Sequence, residues 1–304
     1  MSDQHKLDKS KMSVELKPSE TAMGAATLRA LAALDEREEI RGPDYLAELF
    51  LTEERKSALR DPVVRETVIK KMIIPGMYEF LIARTAYFDD IVRQALRENI
   101  PQIVFMGAGY DSRPYRFKNL IMGTRIFELD SQPTQHRKKE VLYQARVSVP
   151  EQLVFVSINF NTDSFIDVLA NAGFITNEQT LFVWEGVTYY LPANVINDTL
   201  RNIKMNSPVG SSICFDYASL SPESLNDRDV KELREKMRSD YPDEPTYFGI
   251  QEDHIGTFLS ERGFKIIEHL SQNEIERKYL SLKDGSSAGK LLPLFCFVHG
   301  LVTD

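Results

Sequence analysis

The chain has 304 residues, a formal net charge of −8 and a pI near 5.3, and 42% of its residues are hydrophobic. This is a globular composition, long enough for one large α/β domain or two small ones, and so acidic a surface argues against non-specific binding to nucleic acid or anionic membranes. The two cysteines, Cys214 and Cys296, lie inside apolar runs and read as small buried hydrophobes, which suits a reducing compartment.

The N-terminal stretch MSDQHKLDKSKMSVELK is polar throughout. It lacks the apolar core of a signal peptide, and no later run approaches the roughly 18 apolar residues of a membrane span. Residues 1–18 are expected to form a flexible tail on a cytoplasmic protein with no membrane or nucleic-acid partner. No metal-ligand spacing stands out, and nothing specifies an oligomeric state.

Residues 19–99 lack strand-like runs and are expected to be helical. The candidates are TAMGAATLRALAALDE, PDYLAELFL, DPVVRETVIKKM and PGMYEFLIARTAYFDDIVRQALREN. The last runs from Pro75 to Asn99, with proline in its first turn. Its apolar residues Tyr78, Ile82, Ile91 and Ala95 recur at helical spacing, which predicts one buried face.

The pattern changes at residue 100. Short β-branched and aromatic runs now alternate with amphipathic segments: QIVFMGA (102–108), TRIFELD (124–130), LVFVSIN (153–159), TLFVWEG (180–186), SSICFDYA (211–218), FKIIEHL (264–270) and LPLFCFVHGL (292–301). Such alternation predicts an α/β domain over 100–304, a mainly parallel sheet covered on both faces. A hairpin-like return through the Gly/Ser-rich stretch after FKIIEHL would make the last strand antiparallel. Residues 219–250 form a long polar insertion with a helix in it, either a lid or an ordinary surface excursion.

The first strand runs into Gly107-Ala108-Gly109, a turn through which backbone can approach a nucleotide-like ligand. The dinucleotide fingerprint needs a third glycine three positions later, where this chain has Ser112 followed by Arg113 and Pro114. That favours a nucleoside without phosphates. The second strand ends in Glu128-Leu129-Asp130. An acid about 20 residues past the glycine turn can accept from both ribose hydroxyls. Glu128 and Asp130 share a side of the strand, so either could serve.

At the end of the third strand, Asn159 could read an adenine edge and Phe160 could stack on the ring, although Asn159 also suits a plain turn. At the end of the fourth strand, Glu185 precedes Gly186 and the pair Tyr189-Tyr190. It could meet a cationic ligand group, such as the amino end of a zwitterion. Arg84 on the long helix matters only if that helix crosses the site.

In order along the chain, TAMGAATLRA, ARTAYFDD, FMGAGYDSRPYRF, FELD and WEGVTYYLP resemble the leucine carboxyl methyltransferase family of S-adenosyl-L-methionine-dependent enzymes, and within it the bacterial and polyketide O-methyltransferases. The resemblance runs from about Ser19 to the end of the sequence. It implies a class I methyltransferase fold: a Rossmann-like sheet of seven strands, the last antiparallel, with an added N-terminal helical part. It also implies roles. Arg84 holds the cofactor's methionine carboxylate, Gly107, Ala108 and Gly109 pass beneath the methionine portion, and Asp130 binds the ribose. Asn159 and Phe160 lie at the adenine, and Glu185 lies near the amino group. Asn159 departs from the aspartate usual in the family, and the lost charged acceptor costs about 1 kcal/mol.

The expected activity is O-methylation of a small molecule. A carboxylate acceptor is already ionised at neutral pH, whereas a hydroxyl needs a base, and no histidine falls within these motifs. No catalytic residue is readable. Arg113, Tyr189 and Tyr190 are candidates for orienting the acceptor, while Arg113 and Arg116 could equally hold the loop together. Two other readings are an NAD-type oxidoreductase, which the missing glycine and the final strand reversal oppose, and a non-catalytic cofactor-binding sensor.

Overall fold

The computed structural model describes residues 17–160 and 162–304. The expected tail therefore lies almost wholly outside the described residues, as does Asn161. Among the described residues there are seven strands, β1 (Gln102–Met106), β2 (Arg125–Asp130), β3 (Leu153–Ser157), β4 (Thr180–Trp184), β5 (Ser212–Ala218), β6 (Phe264–Leu270) and β7 (Phe295–Val302). They form one sheet in the order β3-β2-β1-β4-β5-β7-β6. The first five are parallel, and β7 inserts antiparallel between β5 and β6.

Strand alternation sorts the core into two layers. Ile103 and Phe105 of β1 pack with the N-terminal helices, while Val104 and Met106 join Phe182, Trp184 and the helices Phe165–Asn171 and Ala193–Met205 on the other face. β1 and β4 are buried along their whole length, as parallel strands covered on both faces must be.

The N-terminal part departs from expectation in detail. Helix Glu20–Ala33 forms, capped by the Ser19 hydroxyl. PDYLAELFL yields only a tight turn at Ala47–Phe50, and an unforeseen helix, Glu53–Arg60, follows it behind a Thr52 cap. The long helix starts at Met77, not Pro75. Gly76 precedes it at φ 82°, and a Cβ there would sit 2.2 Å from the Leu292 backbone nitrogen. The chain thus enters the helix through a turn that only glycine fits. Tyr78, Ile82, Ile91 and Ala95 are buried, but so are Phe80, Arg84, Tyr87 and Phe88. The helix is enclosed on more than one face because it lies between the sheet and the other N-terminal helices.

The link from β6 to β7 is not a plain hairpin. Helix Gln272–Tyr279 intervenes, opened by a reciprocal Ser271–Glu274 cap. The insertion carries two helices, Pro222–Asn226 and Arg228–Asp240. Among the described residues no helix is long and apolar enough to cross a membrane.

Candidate active site

A cavity of about 1760 Å³ opens at the C-terminal ends of β1, β2, β3 and β4. This is the end where open α/β sheets bind ligands, and the volume exceeds the ~300–1,000 Å³ of a usual small-molecule pocket. Arg84, Gly107, Ala108, Gly109, Arg113, Asp130, Asn159, Phe160, Glu185, Tyr189 and Tyr190 all line it. Sequence positions spread over about a third of the chain thus converge on one space.

The glycine turn is built for close approach. Gly107 and Gly109 have φ of 74° and 46°, and a Cβ on Gly107 would fall 2.5 Å from the Val187 side chain. The Gly107 and Ala108 amides donate to the Leu129 carbonyl, which ties the turn to the end of β2. Asp130 faces the turn: its carboxylate accepts from the Gly109 amide at 2.6 Å and the Ser131 amide at 2.7 Å. Burial raises its pKa against the pull of those two amides. Glu128, the other acid of β2, points into the core, where it pairs with Lys138 at 2.7 Å. Burial pushes its carboxyl up to about 7 despite Lys138. Only Asp130 of the two reaches the cavity.

Arg84 does cross the site. Its guanidinium meets Glu185 at 3.0 Å and Asp216 at 3.4 Å, and donates to the Tyr189 hydroxyl at 3.1 Å. Burial opposes the charge, yet Tyr189, Glu185 and Asp216 together hold its pKa above the ordinary arginine value. Asp216, in the middle of the apolar strand SSICFDYA, was not singled out in the sequence. Its carboxylate also accepts from the Gly186 amide at 2.6 Å, and burial raises its pKa. An acid inside an otherwise apolar parallel strand was the available signal, since such a group needs a buried partner.

Arg113 and Arg116 are bound into the protein. Arg113 pairs with Asp89 at 2.8 Å, Asp111 at 2.5 Å and Glu185 at 2.7 Å. Arg116 pairs with Asp89 at 2.6 Å and also contacts the Ser112 hydroxyl at 2.8 Å. That hydroxyl donates to Asp44, itself paired with Arg29. Ser112 therefore occupies the third-glycine position as a hydrogen-bonding node, and the ion pairs favour the loop-holding alternative for both arginines. Asp44 and Asp89, the acids at the centre of this network, went unremarked in the sequence.

Tyr189 is buried and stacks edge-on against Tyr190. Burial raises both phenols above the usual range. Asn159 lies in a turn, its amide donating to Asp163 at 2.8 Å while its carbonyl accepts from Thr162 and Asp163. The insertion closes the far wall. Glu244 accepts from the Glu20 amide at 3.2 Å and from the Ser19 and Thr21 hydroxyls, joining the insertion to the start of helix Glu20–Ala33.

The strand order, the reversed seventh strand and the glycine-lined cavity define a class I S-adenosyl-L-methionine-dependent methyltransferase. The leucine carboxyl methyltransferase profile matches residues 22–204, and the chain belongs to that family. YktD of Bacillus subtilis, named as an S-adenosyl-L-methionine-dependent methyltransferase, is 30% identical over 211 residues, 68% of each chain. A Streptomyces avermitilis protein named in the same way is 31% identical, over 63% of this chain and 66% of its own. The aligned region thus spans about two thirds of these relatives.

Two crystal structures show the same fold. A Thermobifida fusca protein described as a methyltransferase superposes with a TM-score of 0.59 at 14% identity, covering 98% of this chain and 97% of that one. A DUF574 family protein from Streptomyces avermitilis gives 0.60 at 11% identity, covering 91% and 96%.

Proposed function

We propose that this methyltransferase transfers a methyl group to a carboxylate oxygen of a small molecule. S-adenosyl-L-methionine, when bound, supplies a methyl already activated by its sulfonium charge. The carrying observation is the state of the ionisable groups that line the cavity. Arg84 and Arg113 are locked in ion pairs, the phenols of Tyr189 and Tyr190 are pushed up by burial, the two lining acids that burial raises, Asp130 and Glu244, are engaged by the Gly109 and Ser131 amides and by the Ser19 and Thr21 hydroxyls, and among the described residues no histidine lines the cavity. A hydroxyl acceptor needs a base titrating near neutrality, whereas a carboxylate needs only to be oriented and desolvated.

The cavity residues suit the cofactor. A Cβ on Gly107 would collide with Val187, another residue of the cavity wall, and Asp130 stands at the rim as a ribose acceptor. The Arg84–Glu185 pair presents one positive and one negative group side by side. The carboxylate and ammonium of an amino-acid end match these two charges, Arg84 taking the first and Glu185 the second. Asn159 and Phe160 would border the adenine. The cavity volume supports a second ligand beside the cofactor. In this reading, residues 19–99 and the insertion 219–250 form the acceptor side, with the insertion as a lid, over the core of 100–304.

The test is incubation with methyl-labelled cofactor and a panel of carboxylic acids alongside hydroxyl-bearing analogues. Label released as methanol under mild base marks an ester. Base-stable label found only on the hydroxyl compounds would overturn the carboxylate assignment.

A further inference from the structure

Away from the cavity, the antiparallel end of the sheet gathers a different set of side chains. Tyr217 of β5 sits directly opposite Cys296 of β7. His269 of β6 pairs with Val298, two residues along β7 from Cys296. Paired residues of antiparallel strands share a face, and residues two apart on one strand do so as well. Three adjacent strands therefore present Tyr217, Cys296 and His269 on one face of the sheet. Glu252, in the turn Glu252–His254 that follows the insertion, covers this row. Ligand atoms of Glu252, His269 and Cys296 all lie within 4.8 Å of one another. Cys296 is buried, while Glu252 and His269 are partly exposed. None of the three lines the methyl-transfer cavity.

We propose that Glu252, His269 and Cys296 bind one divalent cation of the zinc type. The donor set decides the ion: one thiolate, one imidazole and one carboxylate match the S, N and O ligands of Zn²⁺, whereas Mg²⁺ and Ca²⁺ take all-oxygen sites. Coordination releases the Cys296 thiol proton to solvent. A metal-bound histidine needs a second contact to fix its ring. The Tyr217 hydroxyl, 2.9 Å from His269 Nε2 with the two rings stacked, provides it when the ion takes Nδ1. The three ligands come from separate elements, which explains why no ligand spacing shows in the sequence.

The site has a structural consequence. Ile250, just before Glu252, bonds through its backbone to Ala218 and Leu220, so the insertion leaves and rejoins the sheet at neighbouring points. A cation on Glu252 would pin the returning end of the insertion to β6 and β7.

The test is titration of the metal-free full chain with Co²⁺ and with Zn²⁺. We expect one Co²⁺ per chain with a thiolate charge-transfer band. The band should vanish in Cys296→Ser and persist in Cys214→Ser, which alters the other buried cysteine. Tyr217→Phe should weaken Zn²⁺ binding about 10–100-fold, the range for an orienting partner. Absence of the band in the native protein, or its survival in Cys296→Ser, overturns the site. If Cys296→Ser does not fold, Glu252→Gln at the solvent edge decides: Zn²⁺ affinity must fall at least about tenfold, and an unchanged affinity overturns the proposal.

Discussion

The guanidinium of Arg84 and the carboxylate of Asp216 meet 3.4 Å apart, at the junction of the long helix and β5. Both are buried, and Asp216 also holds the Gly186 amide. One acid thus positions the arginine and the turn that follows β4.

Asp216→Asn keeps an acceptor for the Gly186 amide but removes the charge facing Arg84. Glu185 still pairs with the guanidinium, so the loss should stay below that of a fully orphaned buried charge. We expect about 1.5–3 kcal/mol lower stability, the range for a charge-assisted hydrogen bond, read by urea denaturation. An unaltered midpoint would show that Glu185 alone suffices.

Asp130→Ala removes the proposed ribose acceptor. Cofactor affinity should fall roughly 10- to 100-fold, from about 1.5–3 kcal/mol of lost hydrogen bonding. Calorimetric titration with S-adenosyl-L-methionine measures it directly. Because Asp130 also holds the Gly109 and Ser131 amides, Asp130→Asn is the companion variant. It keeps an oxygen for the turn and should give an intermediate affinity.

Gly107→Ala carries two separable penalties. The left-handed backbone costs roughly 1–2 kcal/mol for any side chain, and the new Cβ collides with Val187. Adding Val187→Ala should recover the steric part and leave the backbone part. Thermal or chemical denaturation of the single and double variants separates them, and full recovery would remove the backbone argument.

His299 in β7 should make stability depend on pH. Burial pushes its imidazole from 6.5 down to about 4, so the unfolded chain binds the extra proton between those values. The contribution is complete above pH 6.5 and is lost as pH falls toward 4, by roughly 3 kcal/mol. His299→Gln, neutral throughout, should lose less stability over that range. Parallel pH curves for the two proteins would contradict the burial argument.

Glu244→Ala cuts the contact between the insertion and the start of helix Glu20–Ala33. Amide hydrogen exchange across 219–250 should quicken, while exchange in β1 and β4 stays unchanged, because those strands are buried along their whole length. Unchanged exchange in the insertion would show that its own helices, not Glu244, hold it in place.

Much of this was readable before the fold. β-branched runs gave the strands, because buried parallel strands must be apolar throughout. The glycine turn and Asp130 were readable because few residue types tolerate that backbone or supply that acceptor. Asp44, Asp89 and Asp216 were harder. Each is a short acid whose partner lies far away in sequence, Asp44 with Ser112 and Arg29, Asp89 with Arg113 and Arg116, Asp216 with Arg84. Long-range pairs of this kind leave no local period or spacing. The start of the long helix was misplaced for a similar reason: Gly76 is fixed by the backbone of Leu292, a contact only the tertiary fold creates.

The placement of β7 bears on how the molecule assembles. Among the described residues β6 has no strand neighbour other than β7, and β7 also covers one edge of β5. Until residues 295–302 leave the ribosome, β5 keeps an open hydrogen-bonding edge and β6 has nothing to join. Nascent chains paused before Phe295 should therefore be the species that chaperones retain and that aggregates, since an unpaired apolar strand edge recruits other strands.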